Sequence, residues 1–368
     1  MNDLPQRDLP PYDRTALGDR LQQLTTEIAG QVIRAFLERH PEWLSKYGER
    51  ARKFGTEDAR FHIDFLRGAV EAGSVQAFED YCEWAAGILK SRAIASRFLV
   101  ENLMQIETAL GAGLSPEERA VIARMMEAGR AACDREKARP ACPDTPLALT
   151  RAVYLQSILI GARAGSVRIV EEAIEKGAGV FDIYTQVFQE SLYEVGRLWQ
   201  EGDISVSVEH RATAITQFVM AGIYSRAMPA RPSAPPRQAI VTGVAGELHQ
   251  IGANMVADVL ENAGWNVEFL GTDAPHAGIV DAVRAQDSDL LCVSATMLSS
   301  VPNVVSLIRD LRPHSSKLRI LIGGSAFRSK PELWMAIGAD GFAADLSGAV
   351  EVADQMSPRR ADREAPGT

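Results

Sequence analysis

The chain reads as an α plus α/β multidomain protein, two all-helical parts followed by a parallel sheet domain. Three observations predict this. Residues 13–132 and 146–226 carry apolar side chains at three- and four-residue spacing, with no strand pattern. From Gln238 onward, short apolar runs alternate with amphipathic stretches, the pattern of strands buried on both faces beneath crossover helices. Between these parts, 133–145 and 227–237 are polar and Pro-containing, as linkers are. The expected domains are therefore 13–132, 146–226 and 237–356, and 368 residues suffice for two or three separate cores.

In the first part, Leu21, Leu24, Ile28, Val32 and Phe36 mark one long helix over 15–39, which Pro41 ends. Further helices are expected over 56–72, 75–89, 93–109 and 116–132, the last opened by Ser115-Pro116-Glu117-Glu118. Helices of this length with short joints suggest a globin-like or bundle domain. Its aromatics, among them Phe61, Phe65, Tyr81 and Trp84, have two readings. One is a hydrophobic core. The other is a pocket for a flat ligand, with His62 on its wall and Arg60 and Arg67 pairing with ligand carboxylates.

The second part should hold four helices, over 147–164, 167–176, 180–200 and 206–225, jointed at Gly165-Ser166 and at 177–179. Within it, nine residues separate Trp199 from Glu209-His210. The plain reading is a core indole and a Glu suited to a first helical turn.

In the third part, strands are expected over 238–244, 266–270, 290–294, 318–322 and 341–344. Right-handed crossovers then gather His249, Ser294, Thr296, Gly323 and Gly324 along one carboxyl edge, where open α/β sheets bind ligands. The loop Gly246-Glu247-Leu248-His249-Gln250-Ile251-Gly252 is the most informative stretch. Glu247 can hold one ring nitrogen of His249 and leave the other free for a metal. Gly252 lets a large flat ligand approach the backbone. Thr272-Asp273 is either a further edge contact or a helix cap.

Composition narrows the classes. A net charge of −9 argues against binding nucleic acid. Residues 1–12 lack the apolar core of a signal peptide, and no stretch is apolar enough to cross a bilayer. Cys82, Cys133, Cys142 and Cys292 show no metal-type pairing, so reduced thiols in a cytoplasm are expected.

The Glu-x-His-x-x-Gly run over 247–252 resembles the lower-ligand loop of cobalamin-binding domains, where the His coordinates cobalt in place of the cofactor's own base. Ser294-Ala295-Thr296-Met297 and Gly323-Gly324 resemble the signatures that line the slot for the displaced nucleotide tail. The resemblance implies a flavodoxin-like, five-stranded Rossmann-type cobalamin domain, with residues 146–226 as a four-helix cap over the upper cobalt face. Trp199 with Glu209 and His210 resembles the cap motif of adenosylcobalamin photoreceptors, where the indole covers the adenosyl group and the Glu and His contact it. In those proteins a His follows the Trp; here Gln200 stands there. Domain order and size resemble the photocobilins, which implies biliverdin in the N-terminal domain near His62, with Cys82 as a buried thiol or a bilin tether. These resemblances together imply a light-sensing signalling protein binding adenosylcobalamin, read out by a downstream signalling protein or a homodimer. Two alternatives share the residues. One is a corrinoid methyl-carrier protein of a methyltransferase system, which needs no cap motif for a nucleoside. The other is a haem or gas sensor with His62 on iron.

Overall fold

The structure, a computed structural model, describes residues 9–135, 144–227, 237–314, 317–328 and 333–357. Most of both expected linkers, Cys142 and the tail beyond Ser357 lie outside the described residues. The chain divides into two compact units, Met1–Lys137 with Met297–Val305, and Ala138–Thr296 with Ser306–Thr368.

The first unit contains α1 (Arg14–Arg39), α2 (Pro41–Tyr47), α3 (Glu49–Ala72), α4 (Val75–Ser91), α5 (Arg97–Gly111) and α6 (Pro116–Ala132). Caps explain several of these limits. Asp13 accepts from Ala16 N at 3.0 Å and starts α1. Ser115 and Glu118 form a reciprocal capping box that starts α6. Helix α3 begins seven residues before the expected Thr56, because Gly48 (φ 59°) already breaks the chain after α2 and 49–55 stay helical. Helix α5 begins later than expected, because Ala93 (φ 57°) takes the left-handed conformation that closes the preceding helix. Leu17, Leu21, Ile63, Leu66, Leu103 and Ile106 are fully buried and form the centre of this unit.

The second unit opens with α7 (Ala148–Ile160) and α8 (Arg163–Glu175). Next, α9 (Val180–Ile183) runs through a π-helical turn, Tyr184–Gln189, into α10 (Glu190–Glu201), and α11 (Val206–Ala227) completes four rods. The first joint falls at Gly161 (φ 82°), not at Gly165-Ser166. Ser166 lies inside α8, fully buried, its hydroxyl bonded to Ala162 O at 3.1 Å and to Ser157 Oγ at 2.8 Å.

The sheet part follows as β1 (Gln238–Val244), α12 (Gln250–Asn262), β2 (Asn266–Ala274), α13 (His276–Gln286), β3 (Leu290–Ser294), α14 (Val301–Leu311), β4 (Arg319–Gly323), α15 (Leu333–Ala336), β5 (Gly341–Ala343) and α16 (Leu346–Met356). Its five strands pair in parallel in the order β2-β1-β3-β4-β5, the doubly wound order with a switch point between β1 and β3. Strand β2 runs four residues beyond the expected Leu270, through two register shifts against β1.

The bundle and the sheet share a core. Tyr154, Ile158, Tyr184 and Phe188 of the bundle pack in one cluster with Ile251, Met255 and Val259 of α12. Each buried aliphatic side chain there contributes about 1.5–3 kcal/mol. Two phenols fasten the same seam: Tyr184 donates to Asp258 at 2.6 Å, and Tyr224 donates to Glu261.

A candidate metal-ligand loop at the carboxyl edge of the sheet

The parallel register sets Gly243, Ser294, Gly323 and Ala343 side by side in one row at the carboxyl ends of β1, β3, β4 and β5. The loop from β1 to α12 rises from this row. Gly246 (φ 84°) turns the chain and donates to Asp273 Oδ1 at 2.8 Å, so Asp273 serves the loop, while the next helix takes Pro275 as its N-cap. His249 stands at the head of α12 as its N-cap residue.

Glu247 is completely buried, and its hydrogen bonds account for that burial. Oε1 accepts from His249 N at 2.9 Å and from His249 Nδ1 at 2.6 Å. Oε2 accepts from Thr296 N at 2.5 Å. Burial pushes the Glu247 carboxyl up, but the bonds from the His249 ring and from the two main-chain N–H groups outweigh it and hold the group below the usual range. A carboxylate at Nδ1 makes that nitrogen the donor and leaves Nε2 with its lone pair. The bond to Glu247 raises the pKa of His249, against burial, and the charge of Glu209 on α11 adds to it. The His249 side chain is 57% exposed, so the ring is clamped at one nitrogen and open at its outer end.

Space lies where a flat ligand needs it. A Cβ added at Gly246 or Gly252 would meet no atom within 4 Å, and Leu248 beside the His is 73% exposed. Gly324 differs. Its φ is +100°, and a Cβ there would lie 2.1 Å from Ala295 O, so this glycine is required by the approach of two backbones. The expectation that Gly323-Gly324 leaves room for a ligand tail therefore rests on Gly323, where a Cβ would meet only Ala343 O at 3.3 Å.

Glu247 bonds both His249 and Thr296 and so links them, with Ser294 and Gly323 in the row beneath. Thr296 takes part in this clamp through its backbone N–H. Ser325, a residue that no motif singles out, donates to Thr296 O at 2.9 Å and fixes that strand end from the other side. In the bundle, Trp199 is half-buried near the end of α10. Glu209 is engaged within α11, by His210 Nδ1 at 2.5 Å and Thr213 Oγ1 at 3.1 Å, and His210 is 75% exposed. His62 sits in the other unit, buried, with Nδ1 2.5 Å from Tyr81 Oη, while Phe65 stacks on Tyr81 at a centroid distance of 3.9 Å. These side chains fill one another's space, which favours the core reading of that cluster.

Among the described residues no group of three or more His, Cys, Asp or Glu could hold a metal ion. A single imidazole with one clamped and one free nitrogen matches the donor set of an axial ligand to a metal that a macrocycle already holds. Among the same residues no helix is long and apolar enough to cross a membrane.

Comparison with known proteins adds the family. Residues 237–351 match a B12 binding domain family, and residues 151–223 match a second B12 binding domain family. The chain thus carries cobalamin-binding domains over the bundle and the sheet. Dimethylamine corrinoid protein 1 of Methanosarcina acetivorans is 29% identical over 192 residues, 50% of this chain and 88% of that protein. Dimethylamine corrinoid protein 3 of Methanosarcina mazei is 29% identical over 168 residues, 44% of this chain and 98% of that protein. The solved structure of a Methanosarcina barkeri monomethylamine corrinoid protein is 23% identical, covers 55% of this chain and 95% of its own, and has a TM-score of 0.49. The two dimethylamine corrinoid proteins correct the expected function. They are corrinoid proteins named for methylamines, so the light-sensing signalling reading is overturned in favour of its methyl-carrier alternative.

Proposed function

We propose, from the premise that residues 151–223 and 237–351 are cobalamin-binding domains, that the protein is a corrinoid carrier of a methyltransferase system. In this reading His249, clamped by Glu247, would hold the cobalamin, and partner methyltransferases would dock on the protein. The observation that carries the proposal is the Glu247–His249 pair, clamped at Nδ1 and free at Nε2. When bound, cobalamin would supply a cobalt centre able to accept and release a methyl group.

The protein's own residues have definable roles. Glu247 fixes the ring orientation and keeps the proton on Nδ1, so that Nε2 points outward as a base or a metal donor. Its second oxygen anchors the pair to the end of β3 through Thr296 N. Gly252 and Gly246 leave the backbone bare where a corrin would lie, and Ser294 and Gly323 border the slot for a nucleotide tail. Trp199, Glu209 and His210 lie on α10 and α11 of the bundle, which would cover the bound cofactor. Methyltransferases take the place of the expected signalling protein as partners. Cobalamin is proposed without its adenosyl form: Glu209 bonds His210 and Thr213 within its own helix. We propose no biliverdin site: His62 and Cys82 are sealed in the packing of the N-terminal helices, whose globin-like character stays a proposal from helix number and length.

The test is a paired assay on cobalamin-loaded protein. Methylcobalamin should bind at least as tightly as adenosylcobalamin, and the bound methyl group should transfer to a thiol acceptor when a corrinoid methyltransferase is added. Preference for the adenosyl form, with bleaching in green light and no methyl transfer, would reject the carrier.

A further inference from the structure

Two of the four cysteines meet inside the first unit. Cys82 lies on α4, fully buried, and Cys133 follows the last residue of α6 as its cap, 4% exposed. Both sulfurs gather at Gly129. A Cβ added there would lie 2.8 Å from Cys82 Sγ, and Cys133 Sγ donates to Gly129 O at 3.3 Å. The missing side chain at 129 is what lets α6 come close enough to α4 for the two thiols to hydrogen-bond to each other. Beside them, Glu79 is buried and paired with Arg135 at 3.3 Å, two residues past Cys133.

We propose that Cys82 and Cys133 are a redox-active dithiol, which a small-molecule disulfide of the glutathione class oxidises to an intramolecular disulfide. The nucleophile is Cys133. It receives the hydrogen bond of the Cys82 thiol, which holds it below the usual thiol range, whereas burial pushes Cys82 far up. Cys133 also sits at a helix terminus, where a turn opens at low free energy. Its thiolate attacks one sulfur of the small disulfide and expels the first small thiolate, which takes up the Cys133 proton. Cys82 then attacks the Cys133 sulfur of the mixed disulfide. The second small thiolate leaves and takes the Cys82 proton. Two protein thiols lose two electrons and two protons, and one small disulfide becomes two small thiols. Nothing in this step involves the B12 binding domains, so it stands apart from the carrier reading.

The test uses the full chain, incubated with oxidised glutathione, trapped with an alkylating reagent and mapped by mass spectrometry. Free thiols should fall by two, with a peptide pair linking Cys82 to Cys133 that dithiothreitol releases. Cys82→Ser should stop at a glutathione adduct on Cys133, and Cys133→Ser should leave Cys82 unreacted. Three results would overturn the proposal: thiols that stay fully alkylatable, a Cys133–Cys142 link in place of Cys82–Cys133, or a Cys133→Ser protein whose Cys82 still takes glutathione. Should either variant fail to fold, the peptide map of the unsubstituted protein decides alone.

Discussion

His62 and His249 are alike in one respect and opposite in every other. Each has its Nδ1 held by a neighbour, Tyr81 Oη at 2.5 Å for the first and Glu247 Oε1 at 2.6 Å for the second. Around His62 the packing is closed, and burial alone lowers its pKa to about 4. Around His249 the carboxylate raises the pKa, and more than half of the side chain faces outward. A histidine on an aromatic-rich helix and a histidine in a glycine-containing loop thus look equally eligible as ligands in sequence. Exposure separates them: the His249 side chain is 57% exposed, whereas His62 as a residue is 9% exposed.

The largest way to break this contrast is to delete each ring. His249→Ala should abolish the absorption signature of histidine-coordinated cobalamin, while His62→Ala should leave that spectrum unchanged and lower stability by about 2–4 kcal/mol through a cavity and an orphaned phenol. Equal spectral loss in both variants would erase the distinction. The next effect is acid sensitivity. A buried His with its pKa lowered from 6.5 to about 4 contributes stability that is complete above pH 6.5 and is lost as pH falls through about 4. The size is on the order of 3 kcal/mol. Asp258, raised from 3.8 to about 6 by burial against the Tyr184 hydrogen bond, has the opposite sign: its contribution is complete below pH 3.8 and is lost as pH rises through about 6. Hydrogen exchange followed peptide by peptide between pH 4 and 7 should therefore show the first unit weakening towards acid while the seam around α12 tightens. His62→Gln and Asp258→Asn should each flatten their own profile.

A smaller effect is expected at the clamp. Glu247→Gln keeps the shape but loses the charge on Nδ1–H, and should weaken cobalamin binding by about 10–100-fold in a titration. The least is expected at Gly252. With open space around it and a place inside α12, Gly252→Ala should raise stability by about 0.5–1 kcal/mol in chemical denaturation. The same variant should bind cobalamin less tightly, and a gain in both would remove its role in the corrin approach.

Much of this was legible in the residues themselves. The alternation of apolar runs foretold the parallel sheet, and the 247–252 loop foretold a clamped imidazole, because both depend on residue type at fixed spacing. What escaped depends on the main chain. The partner of Glu247 Oε2 is the N–H of residue 296, forty-nine positions away, and any residue but proline would offer it. Ser325 is informative only once β3 and β4 are neighbours. Gly324 reads like a ligand-binding glycine but answers to Ala295 O. The light-sensing reading failed for another reason. Trp199, Glu209 and His210 share the spacing of a cap motif, but spacing along α10 and α11 does not say what lies opposite them.

The π-helical turn at Tyr184–Gln189 has a consequence for how the cap is built. One extra residue in a turn rotates everything after it by about a quarter circle relative to an uninterrupted helix. Tyr184 at its start keeps its bond to Asp258, while Trp199 farther along is carried to a different azimuth. Excising a single residue from that turn would swing the indole around the rod without altering its composition, so the direction in which Trp199 looks is encoded in residue count rather than in residue type.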